Sequence, residues 1–202
     1  MDFTLPPSLV SLRLHKLHGP IQQSQVLPNL EILQYTNCLQ GPNYLTRLLD
    51  SKSDPGELSA GASTEVTLSR LRTLRICGNR WTTSPIYNQI FRPLNEFGQV
   101  LIHPRLRDLE ALSVQSVELL DDDLEVIALH YTRLKFVRVA DSRITGYGIK
   151  LLIHRQKLQW LELEHCEEVS SDAIEWAQSQ GVTVKKRYQA IVDSGRSIAM
   201  VY

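Results

Sequence analysis

The chain has 202 residues, of which 43% are hydrophobic and 22% are charged, as in an ordinary folded protein rather than a disordered segment or a disulfide scaffold. Its 22 basic and 22 acidic side chains balance, which argues against nucleic acid or an anionic membrane as a partner. Three widely spaced cysteines form no metal-binding pattern and predict free, buried thiols in a reducing compartment. The N-terminus has no secretory signal, and no apolar run is as long as a membrane-spanning helix, which needs about 20 residues. Cytoplasm or nucleus is therefore the expected location.

A short apolar pattern recurs along the chain, with leucine-type residues at positions one, four and six. Its six copies are Leu9-Leu12-Leu14, Leu30-Leu33-Tyr35, Leu71-Leu74-Ile76, Leu109-Leu112-Val114, Leu134-Val137-Val139 and Leu158-Leu161-Leu163. The last two apolar residues of each copy are two apart, so they share one face of a β-strand and the residue between them points the other way. A seventh, terminal strand is expected at Val182-Thr183-Val184, with Lys185-Lys186-Arg187 as its solvated end.

The segments after the fourth, fifth and sixth copies have a polar start between apolar residues, which is typical of a helix N-terminus. The expected N-caps are Asp121, Thr145 and Ser170, and the helices are expected to continue to His130, His154 and Gln180. A small polar group three positions after the last apolar residue of a strand is expected to bond backbone amides as the chain turns. That position is held by Cys38, Asn79, Ser142 and Cys166.

Two longer intervals interrupt the repeats. The polar, small-residue stretch over 50–66 predicts a flexible insertion, and 80–104 predicts an irregular repeat with an extended or broken helix. We expect one domain over 1–202, with about six to seven repeats, these two interruptions and a C-terminal tail over 188–202. No obvious cap precedes the first copy, so we expect the chain to be a fragment or to lack a preceding domain.

The strand pattern LxxLxLxxN/C, followed by apolar-T/S-D-x-x-apolar at the helix start, resembles the leucine-rich repeat of the cysteine-containing type frequent in F-box adaptors of ubiquitin ligases. The resemblance is clearest over Leu134 to Ile149 and Leu158 to Ile174, and it extends from about Leu9 to Val184. It implies an α/β leucine-rich-repeat solenoid, a curved stack of short parallel strands with helices on the convex side, that binds a protein substrate. No F-box-like segment precedes the first repeat, so ligase subunits are expected partners only of a longer product that carries one.

Outward residues of such a stack form a concave binding surface. Phe136 and Trp160 occupy the same outward position in adjacent repeats. Aromatic and arginine side chains are the usual anchors of protein interfaces. The predicted protein-binding residues are Arg75, Phe136, Arg138, Trp160 and Glu162. Two alternatives stay open: a neighbouring loop or the tail covers the aromatic pair, or the arginines are solvated residues paired with Glu110 or Glu162.

The sequence has no HExxH pattern, no nucleophile elbow and no glycine-rich phosphate loop, which predicts a non-enzymatic protein without cofactor or metal. Asp121-Asp122-Asp123 is expected to complement a helix dipole rather than to bind a cation. The main alternative function is a leucine-rich-repeat scaffold unrelated to ubiquitin. A further alternative is a hydrolase with a site within 81–108, built on His103, Asp108 and a nucleophile.

Overall fold

The computed structural model describes residues 6, 8–16, 27, 29–36, 49, 70–77, 101–116 and 118–187. The predicted insertion over 50–66, most of the irregular repeat over 80–104 and the tail over 188–202 lie outside the described residues. So do the predicted turn positions Cys38 and Asn79.

The described residues form a single sheet of seven strands, all parallel and adjacent in chain order. The strands are β1 (Ser11–His15), β2 (Ile32–Thr36), β3 (Thr73–Cys77), β4 (Ala111–Gln115), β5 (Phe136–Ala140), β6 (Trp160–Glu164) and β7 (Thr183–Arg187). Equivalent positions of successive repeats lie opposite each other, as Arg75 lies opposite Ser113. The repeat in the sequence thus becomes a row across the sheet.

The second and fourth residues of every strand point to the core, as the apolar pattern predicts. Full burial of one such leucine or valine side chain contributes about 1.5–3 kcal/mol relative to exposure. In β7 the fourth residue is a lysine: Lys186 is only 3% exposed, and its Nζ donates to the Val169 carbonyl at 2.6 Å. The prediction of a solvated end at 185–187 is therefore wrong for Lys186, because strand alternation turns it inward after Val184.

Three α-helices in the described residues connect the last four strands. They are α1 (Asp121–His130), α2 (Gly146–Arg155) and α3 (Ser171–Ser179), and a short 3-10 helix (Pro104–Leu106) precedes β4. Their buried residues, such as Leu124, Ile149 and Ala177, join the same core as the inward strand residues. The helices therefore cover one face of the sheet, and neighbouring helices contact each other.

Two of the three predicted N-caps are confirmed. The Thr145 hydroxyl accepts the Tyr147 N–H at 3.1 Å, and the Ser170 hydroxyl accepts the Ala173 N–H at 3.3 Å. Each bond satisfies an amide that has no partner within the helix, which typically contributes about 1 kcal/mol. The predicted helix ends are correct to within one residue.

The third predicted cap is wrong, because Leu120 and not Asp121 precedes the helix. The Leu120 N–H donates to Asp123 Oδ2 at 2.8 Å, so the acidic run closes its own first turn. Asp121 is the first helical residue, and its carboxylate accepts hydrogen bonds from Thr145 of the next repeat.

The buried turn residues behave in two ways. Ser142 Oγ accepts the Leu119 N–H at 3.1 Å, which confirms the prediction for this position. Cys166 Sγ lies 3.6 Å from the Val139 carbonyl and 3.5 Å from that of Glu164, so this thiol also donates to carbonyls. Both side chains tie a strand end to an adjacent segment.

The predicted α/β class is confirmed, in the form of one open sheet of seven parallel strands with three helices in the described part of the chain. Because the strands follow chain order, each strand contacts mainly its neighbours in sequence. This arrangement is compatible with a solenoid-like stack.

Candidate functional site

The face of the sheet opposite the helices carries the first, third and fifth residue of each strand, and we call it the outward face. These residues form three rows across the strands. The first row is Ser11, Ile32, Thr73, Ala111, Phe136, Trp160 and Thr183. The middle row is Arg13, Gln34, Arg75, Ser113, Arg138, Glu162 and Lys185. All five residues predicted to bind protein thus lie in two adjacent rows of one face.

Phe136 and Trp160 lie directly opposite each other on β5 and β6. Their ring centroids are 6.5 Å apart and their planes are 17° from parallel, so the rings are stacked. Trp160 is 36% exposed and Phe136 is half-buried. A ligand that covered this pair would remove apolar surface from water, which is worth about 25 cal/mol per Å².

Two ion pairs hold the charged residues beside the aromatic pair. Arg138 Nη2 lies 2.5 Å from Glu164 Oε2. Glu164 is the fifth residue of the adjacent strand, β6. Arg187 Nη2 lies 3.3 Å from Glu162 Oε1. Glu162 is only 8% exposed, so its buried carboxylate needs this arginine and offers little surface to a ligand. Of the two predicted charged residues on β5 and β6, Arg138 is the more exposed one.

The remaining predicted residue, Arg75, is exposed, and no hydrogen bond or ion pair joins it to another described residue. The pairing with Glu110 that the sequence left open does not occur. Glu110 instead accepts Arg72 Nη1 at 2.7 Å and Lys135 Nζ at 2.9 Å, and the hydrogen bond from Lys135 is the main cause that lowers the pKa of its carboxyl. Arg75 therefore presents its charge on the outward face.

A chain of hydrogen bonds, which sequence reasoning did not find, crosses the sheet just past the strand ends. Ser116, Asp141 and His165 directly follow β4, β5 and β6, and their φ angles of 57°, 56° and 51° are all left-handed. Ser116 Oγ donates to Asp141 Oδ2 at 3.2 Å, and His165 Nδ1 lies 2.9 Å from Asp141 Oδ1. The only signal in the sequence is that each residue comes directly after a strand.

This chain of bonds is not arranged for nucleophilic catalysis. In a hydrolytic triad the imidazole lies between carboxylate and nucleophile, whereas here the carboxylate lies between hydroxyl and imidazole. Next to Ser116, burial raises the pKa of the Cys77 thiol, and the hydrogen bond with Ser116 offsets this in part. A raised pKa disfavours the thiolate that a cysteine nucleophile requires.

The two residues named for the alternative hydrolase make local contacts. His103 Nδ1 accepts the Arg105 N–H at 3.3 Å and so caps the short helix, while its carbonyl lies 3.0 Å from His130 Nε2. Asp108 is exposed and lies 3.7 Å from Arg133. These contacts fix the segment that leads into β4.

Neither a metal-binding group nor a membrane span is found in the part of the chain that the structure describes. There, no three or more His, Cys, Asp or Glu side chains are placed to hold a metal ion. Nor does any helix there have the length and apolar character to cross a bilayer. Comparison with protein-family models and with curated proteins found no match to this chain.

Proposed function

We propose that this chain is a leucine-rich-repeat solenoid that recognises another protein through its outward face, as the substrate-binding half of an F-box ubiquitin-ligase adaptor does. The observation that carries the proposal is the stacked pair of Phe136 and Trp160 on the face of the sheet that the helices leave open. A partly exposed tryptophan supported by a second ring is a typical anchor of a protein interface.

The spacing of the repeats supports the family part of the proposal. The last four strands begin at Ala111, Phe136, Trp160 and Thr183, so the repeat lengths are 136 − 111 = 25, 160 − 136 = 24 and 183 − 160 = 23 residues. Leucine-rich repeats are about 20–29 residues long and place one strand in each repeat. The two cysteines in the described residues are thiols and not disulfides, which agrees with a cytoplasmic or nuclear location.

The test is affinity purification with mass spectrometry from the native source, using the wild-type chain and the Phe136→Ala/Trp160→Ala variant as baits. Tyr147→Ala is the matched control, because Tyr147 is an aromatic residue that is 62% exposed on helix α2. We expect the double variant to lose specific partners that the control retains. Equal recovery by all three baits, with the fold intact by circular dichroism, would contradict the proposal.

The ubiquitin part of the proposal has its own test. Co-purification of the ligase's adaptor subunit with a longer product, and not with this chain, would support a substrate-binding half whose docking segment lies elsewhere. Specific protein partners without any ligase subunit in either sample would favour the alternative, a scaffold unrelated to ubiquitin.

A further inference from the structure

The outward face has an unbalanced charge over its first five strands. None of the outward residues of β1–β5, all of which the structure describes, is an aspartate or a glutamate. The same strands present Arg13, Arg75 and Arg138, all in the middle row. The chain as a whole has a formal net charge of zero, so this row is a local feature of one face and not a consequence of composition.

Two of these arginines form no ion pair with a described carboxylate. Arg13 Nε donates to the neutral side chain of Gln34 at 2.6 Å, which orients the guanidinium without neutralising it. Arg75 is exposed and has no partner among the described residues. Arg138 differs, because Glu164 already balances its charge. Among the described residues, no carboxylate therefore balances the charges of Arg13 and Arg75, and the aromatic pair lies further along the same face.

The spacing of these groups matches a peptide in polyproline II conformation that crosses the strands. Adjacent strands lie about 4.8 Å apart, so Arg13 on β1 and Arg75 on β3 are separated by about 10 Å at the backbone. A peptide in polyproline II conformation advances about 3.1 Å per residue with three residues per turn, so two acidic residues three apart would lie on the same side and face the two arginines. The aromatic pair begins on β5, about 10 Å beyond Arg75, which corresponds to three further residues of such a peptide and so again to the same side.

We infer that the outward face binds an acidic protein segment in polyproline II conformation, with two carboxylates three residues apart and an apolar residue three positions beyond the second. This inference rests on the proposed function and specifies its ligand. Charge complementarity favours an acidic occupant over the chain's own C-terminal segment. The chain's own segment 188–202 contains one acidic residue, Asp193, and so matches poorly. The zero net charge likewise gives no long-range attraction for a nucleic acid.

The test is selection from a displayed library of random peptides of about ten residues, a length that spans β1 to β6. The full chain serves as bait in four forms: wild type, Arg75→Glu, Phe136→Ala/Trp160→Ala, and Arg133→Glu. Arg133 is an exposed arginine outside the strands and provides the matched charge reversal. Circular dichroism of each form controls for folding.

We expect the wild type and the Arg133→Glu control to enrich peptides that carry Asp or Glu three residues apart and an apolar residue beyond them. Arg75→Glu should weaken the binding of an enriched peptide by about tenfold or more, an effect that added salt reduces. Enrichment of apolar peptides without acidic residues, lost only in the aromatic double variant, would overturn this inference and leave the proposed function standing. Peptides that bind all four forms equally would overturn both the inference and the proposed function. Binding of a labelled single-stranded oligonucleotide in place of acidic peptides would overturn the inference.

Discussion

The carboxylate of Asp121 accepts two hydrogen bonds from Thr145, one from its N–H at 2.8 Å and one from its hydroxyl at 2.6 Å. The bonds join the first residue of α1 to the N-cap of α2. One repeat thus fixes where the helix of the next repeat begins.

Replacement of Asp121 by alanine should therefore destabilise the fold. We expect Asp121→Ala to lower the free energy of unfolding by about 1–3 kcal/mol, because the Thr145 amide loses its acceptor. Asp122→Ala is the matched control, since this exposed neighbour shares only the helix-dipole contribution, about 0.3–1 kcal/mol. Urea denaturation measures both, and equal losses would show that the contact between repeats contributes nothing.

Gly146 of α2 lies close to Ala173 of α3. A Cβ at this position would lie 2.7 Å from the Cβ of Ala173, which is bonded directly to the backbone of α3 and can move only with it. We expect Gly146→Ala to cost about 1–3 kcal/mol of stability through overpacking. The double variant Gly146→Ala/Ala173→Gly should be more stable than the sum of the two single changes predicts, because the colliding methyl group is gone. Strict additivity would contradict the close contact.

Stability should depend on the protonation of His130. Burial lowers the pKa of this imidazole below its ordinary 6.5, while the hydrogen bond with the His103 carbonyl acts in the opposite direction. Between the lowered pKa and 6.5 the unfolded chain binds more protons than the folded chain, so the free energy of unfolding falls as the pH drops through this window.

The measurement is the urea midpoint as a function of pH, from about pH 7.5 to pH 5. His130→Gln should flatten the decline in this window, since it removes the titrating group and keeps a hydrogen-bond donor. His154→Gln removes one imidazole from an exposed position and serves as the control. An unchanged slope in His130→Gln would show that this histidine does not contribute.

Cys77 should react slowly with alkylating reagents. Burial raises the pKa of its thiol above 9.0, so little thiolate is present near neutral pH. We expect Ser116→Ala to slow the reaction further, because the hydrogen bond with Ser116 holds this pKa down. Peptide-resolved mass spectrometry after a timed iodoacetamide pulse measures the rate, with Ser113→Ala on β4, the strand that Ser116 follows, as the control. Faster labelling in Ser116→Ala would contradict the assigned contact.

Much of the fold follows from the period of the apolar pattern. Positions two apart, such as Leu161 and Leu163, had to share the buried face, and equivalent positions of successive repeats had to become neighbours. The apolar pattern does not predict that Lys186 is buried, because a charged residue normally marks the end of a buried strand. Here the Val169 carbonyl accepts a hydrogen bond from its ammonium. The contact of Asp121 with Thr145 could not be predicted from the local pattern, because the two residues are 24 positions apart in successive repeats.

The candidate site could be predicted less completely. Strand alternation gives the rows, and it correctly places Phe136 beside Trp160. Pattern alone could not choose the partner of Arg138, because a long side chain reaches either the glutamate directly opposite or the diagonal one, and it takes Glu164. The chain of bonds through Asp141 depends on left-handed backbone at the strand ends, which no local pattern signals in non-glycine residues.

The most direct test of the central claim is hydroxyl-radical footprinting of the chain alone and in complex with a captured partner. We predict that oxidation of Trp160 and Phe136 falls sharply in the complex, while oxidation of Tyr147 and Leu129, both exposed on the helix side, stays unchanged. Protection of Tyr147 and Leu129 with no change at Trp160 would show that the partner binds the helices and would contradict the account.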